Sequence, residues 1–570
     1  MCCFLKYELI GDNNYEAENI IQEILKNRNI KNIDDFFNLD EGLLRTPFIF
    51  ENMSSAVWCL ARHIKKQNNI TIISDSDPDG VSSTAIIHNY IKKINKDINI
   101  ELVVHPRRDH GIFLSELNGK LKNIDLLIVP DAGSGNYKEH KILKNRFNID
   151  IIVIDHHDVE YYSKNAIVVN NQLSNILHDL SGSGMTYMFC KAFDEQFGID
   201  YADEYLDLAA LGMISDMMSL KSKEVQYIVR KGLKQIKNKA FQALIDKQYF
   251  SIRGEVTPAN ISFYIAPLIN AVFRLGNHED RIALNKAFCN IDHDKIFIYK
   301  PTRGKNKNVE IEENIFENTG RRCDNLNKKR RLLGEKIFKE IKSKLDDKNK
   351  ILIVEIDKSH GENGMARIVC NNITKKYQRP SIAYYVNEKG EFRGSMASNI
   401  DKFKDLLNET DLFEFVAGHQ RASGLKIKKS KMNVIQEELN KKFKDYNFEN
   451  IYRVDFVVPY MHIEFFNSNF IPEIYKYRGY YGRGIEEPKI LIKNVTFPRK
   501  NVKLLGKKQN TIKIVCDNIT FINFKTNVEE YKKLVLNHNT SLNIIGRCSV
   551  NKFMGKTTNQ IIIENYEILS

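Results

Sequence analysis

Between residues 70 and 170 the apolar positions come in short unbroken runs, each closed by acids, histidine, glycine or asparagine. The runs are ITIIS at 70–74, IELVV at 100–104, IDLLIV at 124–129, IIVI at 151–154 and IVVN at 167–170. Stretches of helical spacing separate some of them, at 81–94 and near 114–121. Runs that are continuously apolar suit strands buried on both faces, and their alternation with helices predicts a parallel, doubly wound α/β sheet. SGSG at 181–184 opens a further helix through Phe197, where glycines and hydroxyls fit either a phosphate cradle or close helix packing. Helical spacing then dominates to about residue 289, and strand-like runs at 351–356 and 380–386 begin a second α/β unit. From residue 474 the pattern turns to short β runs, VTF, IKIV, ITFINF, LNIIGRCSV and NQIIIE, separated by asparagine and glycine turns. Those five runs predict a small β-barrel.

So many separate patterns need several cores, and 570 residues are enough for three or four. The divisions expected are a lead-in at 1–69, an α/β domain at 70–299, a connector helix at 300–344, a second α/β domain at 345–450 and the barrel at 451–570. Composition supports globular cores, at 42% hydrophobic, and no run approaches the ~18 apolar residues of a membrane span. The opening MCCFLKYELIGDNN lacks a signal-peptide pattern. Nine cysteines without a CxxC pair indicate neither a disulfide framework nor a zinc site. A reduced, cytoplasmic monomer without membrane attachment is expected.

Charge is unevenly placed. The connector carries 14 Lys/Arg against seven acids, and residues 474–570 carry 17 against seven. The chain totals +13, so everything outside those two segments sums to −4. A basic barrel offering Tyr480, Tyr481, Phe521, Phe524 and Phe553 suits stacking on single-stranded nucleic acid, with some of these rings reserved for the core. Arg321, Arg322, Arg330 and Arg331 give the connector either a solvated face or a track for a strand.

The chemistry concentrates where the strands end. Asp75, Asp77 and Asp79 follow the first strand, Asp131 the third, and Asp155, His156 and His157 the fourth. Asp216 is the only charge in the apolar stretch LAALGMISDMMSL at 208–220. Alone, the first triplet is as well read as an acidic turn or helix cap. Four such segments converging on one rim favour a metal site, and carboxylates with one or two imidazoles suit manganese or magnesium better than zinc.

These motifs together resemble the RecJ-type single-strand DNA exonucleases of the DHH phosphoesterase superfamily. The resemblance is carried by SDSDPDG (74–80), PDAGSGN (130–136), DHH (155–157) and ALGMISDMMSL (210–220). Further matches are INAVFRLG (269–276), AGHQRASG (417–424) and YYGRGIEEP (480–488), in the family's order across nearly the whole chain. The chain departs from the family pattern at Ile73, where other members have a histidine, at Leu268 and Phe273, and in a shortened turn at 360–364.

What the resemblance implies is a DHH catalytic domain, a DHH-associated domain and an OB-fold. It implies two Mn²⁺ or Mg²⁺ ions bridged by Asp131, with Asp79, His156 and Asp216 completing one site and Asp77 with Asp75 the other. His157 would sit beside the phosphate, as ligand or as charge partner of the transition state, Asp155 would orient a histidine, and Arg274, His419 and Arg421 are candidates for the terminal phosphate. The implied activity is 5′-to-3′ degradation of single-stranded DNA in recombination or repair, with a helicase and a single-strand-binding protein as further partners. Two alternatives stand beside it: a DHH phosphoesterase for short oligonucleotides or cyclic dinucleotides, and a non-catalytic replication scaffold. A long cationic track argues against the first, and the full set of motif acids against the second. Every expected ligand lies upstream of residue 225, so removal of the tail is expected to leave the metal site whole.

Overall fold

The computed structural model describes residues 5–106, 110–159, 161, 163–173, 179–252, 254–302, 306–362, 364–400, 402–448, 451–524, 526–553 and 555–569. It divides into two compact units. Residues 325–452 with 6–8 make one, and 9–324 with 453–570 make the other.

In the larger unit, helices α1 (Ile20–Asn27) and α2 (Met53–Lys65) lead into β1 (Ile70–Ser74), α3 (Pro78–Ile94) and β2 (Ile100–Val104). Strand β3 (Leu126–Pro130), α4 (Tyr137–Phe147), β4 (Asp150–Asp155) and β5 (Ile167–Asn170) complete the layer. All four strand pairings are parallel, in the order β2-β1-β3-β4-β5. β1 and β3 are buried along their whole length, which is why their sequences do not alternate. The chain winds from β1 to β2 on one side, then reverses to β3 on the other. In such sheets ligands bind outside the carboxyl ends at that reversal. Here that places the loops after β1 and β3 side by side.

The helix expected at 114–121 is not formed. Asn118 and Gly119 break it, Gly119 with φ +81°, and turns followed by one 3₁₀ turn at Leu121–Asn123 take its place. Ile112 and Leu117 still enter the core below the sheet. Helices α5 (Gly182–Phe197), α6 (Leu206–Ser215), α7 (Ala266–Leu275) and α8 (His278–Phe288) follow. The connector is not one helix. Its first part pairs back as an antiparallel hairpin, β6 (Ile296–Tyr299) with β7 (Ile311–Asn314), because the isoleucines at 296, 298 and 311 carry strand spacing. Only α9 (Ile315–Ile341) is helical, and it carries the chain out of the first unit at Asp324.

The smaller unit holds β8 (Leu352–Glu355), α10 (Ala366–Tyr377), β9 (Ser381–Val386), β10 (Phe392–Ala397), β11 (Phe413–His419) and β12 (Ala422–Ile427). Its sheet order is β11-β12-β10-β9-β8, with β8 and β9 parallel and the rest antiparallel.

The tail is β-rich but is not a five-stranded barrel beginning at residue 474. Seven strands pair: β13 (Phe456–Pro459), β14 (Lys489–Pro498), β15 (Val502–Leu505), β16 (Thr511–Cys516), β17 (Ile519–Phe524), β18 (Asn539–Phe553) and β19 (Lys556–Ile568). Their order is β13-β14-β18-β19-β17-β16-β15. Residues 471–480 are helical instead, in two turns that present tyrosines to the lead-in. A buried ion pair fastens the lead-in here: Arg28 Nη2 donates to Asp455 Oδ2 at 3.0 Å, and Nη1 meets Oδ1.

Candidate metal centre

The rim of the parallel sheet gathers the acids that its strands end in. Asp77 caps α3, its Oδ1 accepting from the backbone N–H groups of Asp79 and Gly80 at 2.9 and 3.0 Å, with Pro78 at the first helical position. That cap fixes the loop. Asp131 adopts a left-handed backbone (φ 63°), its N–H held by the carbonyl of Ile154 at 2.7 Å. This conformation costs a non-glycine residue energy and is found where function fixes the geometry.

The SGSG turn serves the acids. Ser181 Oγ and the Ser183 N–H donate to Asp79 Oδ1 at 2.9 and 3.1 Å. Gly182 passes so close that a Cβ there would meet Asp131 Oδ1 at 2.2 Å, and a Cβ at Gly212 would meet Asp79 Oδ1 at 2.1 Å. Of the two readings of this turn, close packing around carboxylates is the one seen.

Two groups of ligand atoms share Asp131, one with His156 and His157 and the other with Asp75 and Asp77, and a third joins Asp79, His156 and Asp216. His156 Nε2 lies 3.2 Å from Asp131 Oδ1, 3.9 Å from Asp79 Oδ2 and 3.8 Å from Asp216 Oδ2. Asp75, Asp77 and Asp131 form a second set, each offering an oxygen within 4.8 Å of the others. Among the described residues, Asp79 Oδ2 and Asp131 Oδ1 are buried with no hydrogen-bond partner. Unpaired buried carboxylate oxygens are costly unless a cation compensates them. Burial first, then the charges of Asp79, Asp77 and Asp75, push the Asp131 carboxyl well above its ordinary range. Burial and the charges of Asp79 and Asp77 raise Asp216 to about 8. Two hard cations fit these residues: Asp79, Asp131, His156 and Asp216 would hold one, and Asp75, Asp77 and Asp131 the other.

Asp155 is fully buried behind the rim. It accepts from the N–H groups of Ser134, His156 and His157 and from His157 Nδ1 at 2.8 Å. Burial alone would raise its carboxyl, but the hydrogen bond and charge of His157 hold it far below the carboxylate range. In return, although burial works against the charge, Asp155 lifts His157 to about 9 and fixes which ring nitrogen faces outward.

Two residues at this rim stand outside the expected set. His110 Nδ1 lies 3.0 Å from Asp75 Oδ1, with its ring 4.5 Å from that of His157. Its only sequence signal was a fourth strand, β2, followed at 109–111 by Asp-His-Gly. Arg483, in the glycine-rich turn before β14, donates Nη1 to the Met217 carbonyl at 2.6 Å, and the Leu220 N–H donates to the Arg483 carbonyl at 2.9 Å. Met217 follows Asp216 directly and has φ 62°. Every expected ligand lies upstream of residue 474, but the tail contacts the turn that carries Asp216, so cutting the chain there would remove that brace.

The remaining candidates are distributed along the chain. Arg274 stands half-buried in the last turn of α7. His419 ends β11 and Arg421 precedes β12, both in the smaller unit. Arg321 Nε donates to both Glu313 oxygens at 2.8 Å, with its guanidinium 3.7 Å above Tyr299. Arg322 Nε donates to Asp280 at 2.7 Å, and Arg330 Nη2 to Asn327 at 2.9 Å. Of the four connector arginines, Arg331 is the exposed one. Tyr481 is 4% exposed and cannot stack on a base. Tyr480 packs on Phe36, Phe37 and Tyr477, and its hydroxyl accepts from Arg230 at 2.8 Å. Phe521 is core, Phe524 is exposed, and the Phe553 side chain lies outside the described residues. Aromatic residues at the barrel's entry were thus read as a nucleic-acid surface when they close a hydrophobic joint.

Comparison with known proteins agrees with this geometry. Residues 69–213 match the DHH family N-terminal domain, and residues 459–565 match the RecJ OB domain. The chain is 36% identical, over 99% of its length and 98% of the relative's, to a Bacillus subtilis (strain 168) protein described as an SPbeta prophage-derived single-strand DNA-specific exonuclease, YorK. The single-stranded-DNA-specific exonuclease RecJ of the same strain is 23% identical over 93% of this chain and 65% of that protein. Among solved structures, RecJ of Thermus thermophilus in complex with Mn²⁺ superposes with a TM-score of 0.73 at 18% identity, covering 99% of this chain and 78% of that one. The same protein with Mg²⁺ gives 0.68. The last two show the fold, and the first carries the relationship along the whole chain. The chain belongs to the RecJ-type family of single-strand-DNA-specific exonucleases in the DHH superfamily.

Proposed function

We propose that this protein is a metal-dependent exodeoxyribonuclease that removes nucleotides from single-stranded DNA in the 5′-to-3′ direction, in the cytoplasm, during recombination or repair. One observation carries the hydrolytic part: two ligand groups share Asp131, and among the described residues two buried carboxylate oxygens there have no hydrogen-bond partner. The direction and the cellular setting rest on family membership. A helicase that supplies single strands and a single-strand-binding protein are the partners this reading implies.

Two bound Mn²⁺ or Mg²⁺ ions would polarise one phosphodiester and lower the pKa of a water for attack. The chain's own residues do the rest. Asp131, Asp79, Asp216 and His156 set the charge and spacing of one site, and Asp75 and Asp77 those of the other. His157, hydrogen-bonded to Asp155, would offer a donor beside the scissile phosphate, where negative charge grows in the transition state. The turn at 181–184 keeps Asp79 aimed, so none of these groups must reorganise during the reaction. Exposed basic side chains of the tail would neutralise the phosphates of the departing strand.

The test is degradation of single-stranded DNA labelled at one end or the other, with Mn²⁺, Mg²⁺ or chelator. Metal-dependent loss of the 5′ label first is expected. Loss of the 3′ label first would overturn the direction, and cleavage in chelator the mechanism.

A further inference from the structure

The two ligand sets around Asp131 are unequal. The first has three carboxylates and the imidazole of His156. The second has three carboxylates only, and Asp77 has already committed one oxygen to the cap of α3. His110 meets that second set at Asp75. Its Nδ1 is 3.0 Å from Asp75 Oδ1, and its side chain is about half exposed, so it faces the rim and not the core. Two neighbouring ligands of a six-coordinate cation with bonds near 2.1 Å stand about 3.0 Å apart. The 3.2 Å between His156 Nε2 and Asp131 Oδ1 in the first set shows the same spacing.

We propose that His110 is the imidazole ligand of the second cation, delivered by the loop after β2. Each cation would then hold one histidine, on opposite sides of the shared Asp131, and His157 would remain outside as the phosphate's partner. The inference deepens the two-cation reading above and rests on it. It also makes a metal distinction. Magnesium is bound through oxygen ligands and waters, so an imidazole in the second site favours manganese there.

Calorimetric titration of the full chain with Mn²⁺ and, separately, with Mg²⁺ tests this in wild type, His110→Ala and His110→Gln. Glutamine keeps an N–H donor for Asp75 but removes the imidazole. Two Mn²⁺ sites are expected in wild type. In both variants one site should weaken at least tenfold for Mn²⁺ but less than threefold for Mg²⁺, with the other site unchanged. Recovery of the second site in His110→Gln would overturn the proposal, reducing His110 to a hydrogen-bond donor. Equal weakening for both metals, or unchanged Mn²⁺ affinity, would overturn it too. A single Mn²⁺ site in wild type would overturn the two-cation reading and this one with it. Metal-free melting curves verify that the variants fold.

Discussion

At the sheet rim five aspartates face one another and two of their buried oxygens have no hydrogen-bond partner among the described residues, whereas along α9 Arg321 and Arg322 have each been given a protein carboxylate. Both regions announce themselves in sequence as clusters of one charge. The difference lies in what the fold does next. Arg321 and Arg322 are matched by Glu313 and Asp280, so their charges stabilise the chain locally and leave little for an outside anion. The rim acids repel one another, and the fold holds them by caps and small residues without neutralising them. A charge cluster signals a ligand only when the protein itself leaves it uncompensated.

The sharpest way to break this contrast is Asp131→Asn. Removing the shared carboxylate should lower turnover of labelled single strands at least a thousandfold, about 4 kcal/mol of barrier. In chelator the same variant should melt no lower than wild type, because a repelling charge has gone. Turnover within tenfold of wild type would remove Asp131 from its bridging role.

The opposite case is the paired, buried charge. Arg28→Ala leaves Asp455 buried without its partner and should cost about 3–5 kcal/mol in denaturant unfolding, with kcat per folded molecule unchanged. A loss below about 1 kcal/mol would mean that Asn27 and the Lys489 N–H satisfy Asp455 alone.

Two histidines sharpen the comparison from a third side, since the fold keeps them neutral. Burial lowers His88 and His140 to about 4 from 6.5. The unfolded chain takes these protons near pH 6.5 and the folded chain only near 4, so stability present at neutral pH is lost as pH falls between them. At pH 5 the loss is about 2 kcal/mol for each. Unfolding of wild type and His88→Gln at pH 7 and pH 5 checks it; equal pH dependence in both would exclude His88.

The smallest effects belong to the connector. Arg322→Ala, at a partly exposed pair, should cost about 1 kcal/mol or less and leave the KM for long strands unchanged. Arg331→Glu should raise that KM less than tenfold and flatten the salt dependence of binding by about 0.7 in log–log slope for each phosphate no longer neutralised. A larger effect at Arg322 than at Arg331 would reverse the contrast between rim and connector.

Much of the site was legible because the ligands sit where periodic segments stop. A buried strand followed by an acid leaves a strong trace, and five of the six expected ligands sit in loops or caps at the ends of such segments. Asp79 is the sixth and stands in the first turn of α3. His110 left a weaker trace, since one histidine in a loop has no period to stand against. Arg483 left almost none, because its role depends on a carbonyl 266 residues away. The arginine partners were hidden for the same reason: Asp280 and Arg322 meet only once α8 and α9 are packed. At 114–121, helical spacing was overruled by Asn118 and Gly119. The tyrosines at 480–481 show the reverse error, in which aromatic content was legible but its direction was not.

The brace from Arg483 to the Met217 carbonyl bears on how the protein is made. The turn that holds Asp216 is synthesised first, and its clamp emerges 266 residues later. At about 5–20 residues per second the interval is roughly 13–53 s. For that time a nascent chain carries the rim acids on a turn with nothing behind it, and the strands that seat the clamp come later still. A turn whose brace comes so late in the chain is expected to be among the last parts of the rim to settle during synthesis.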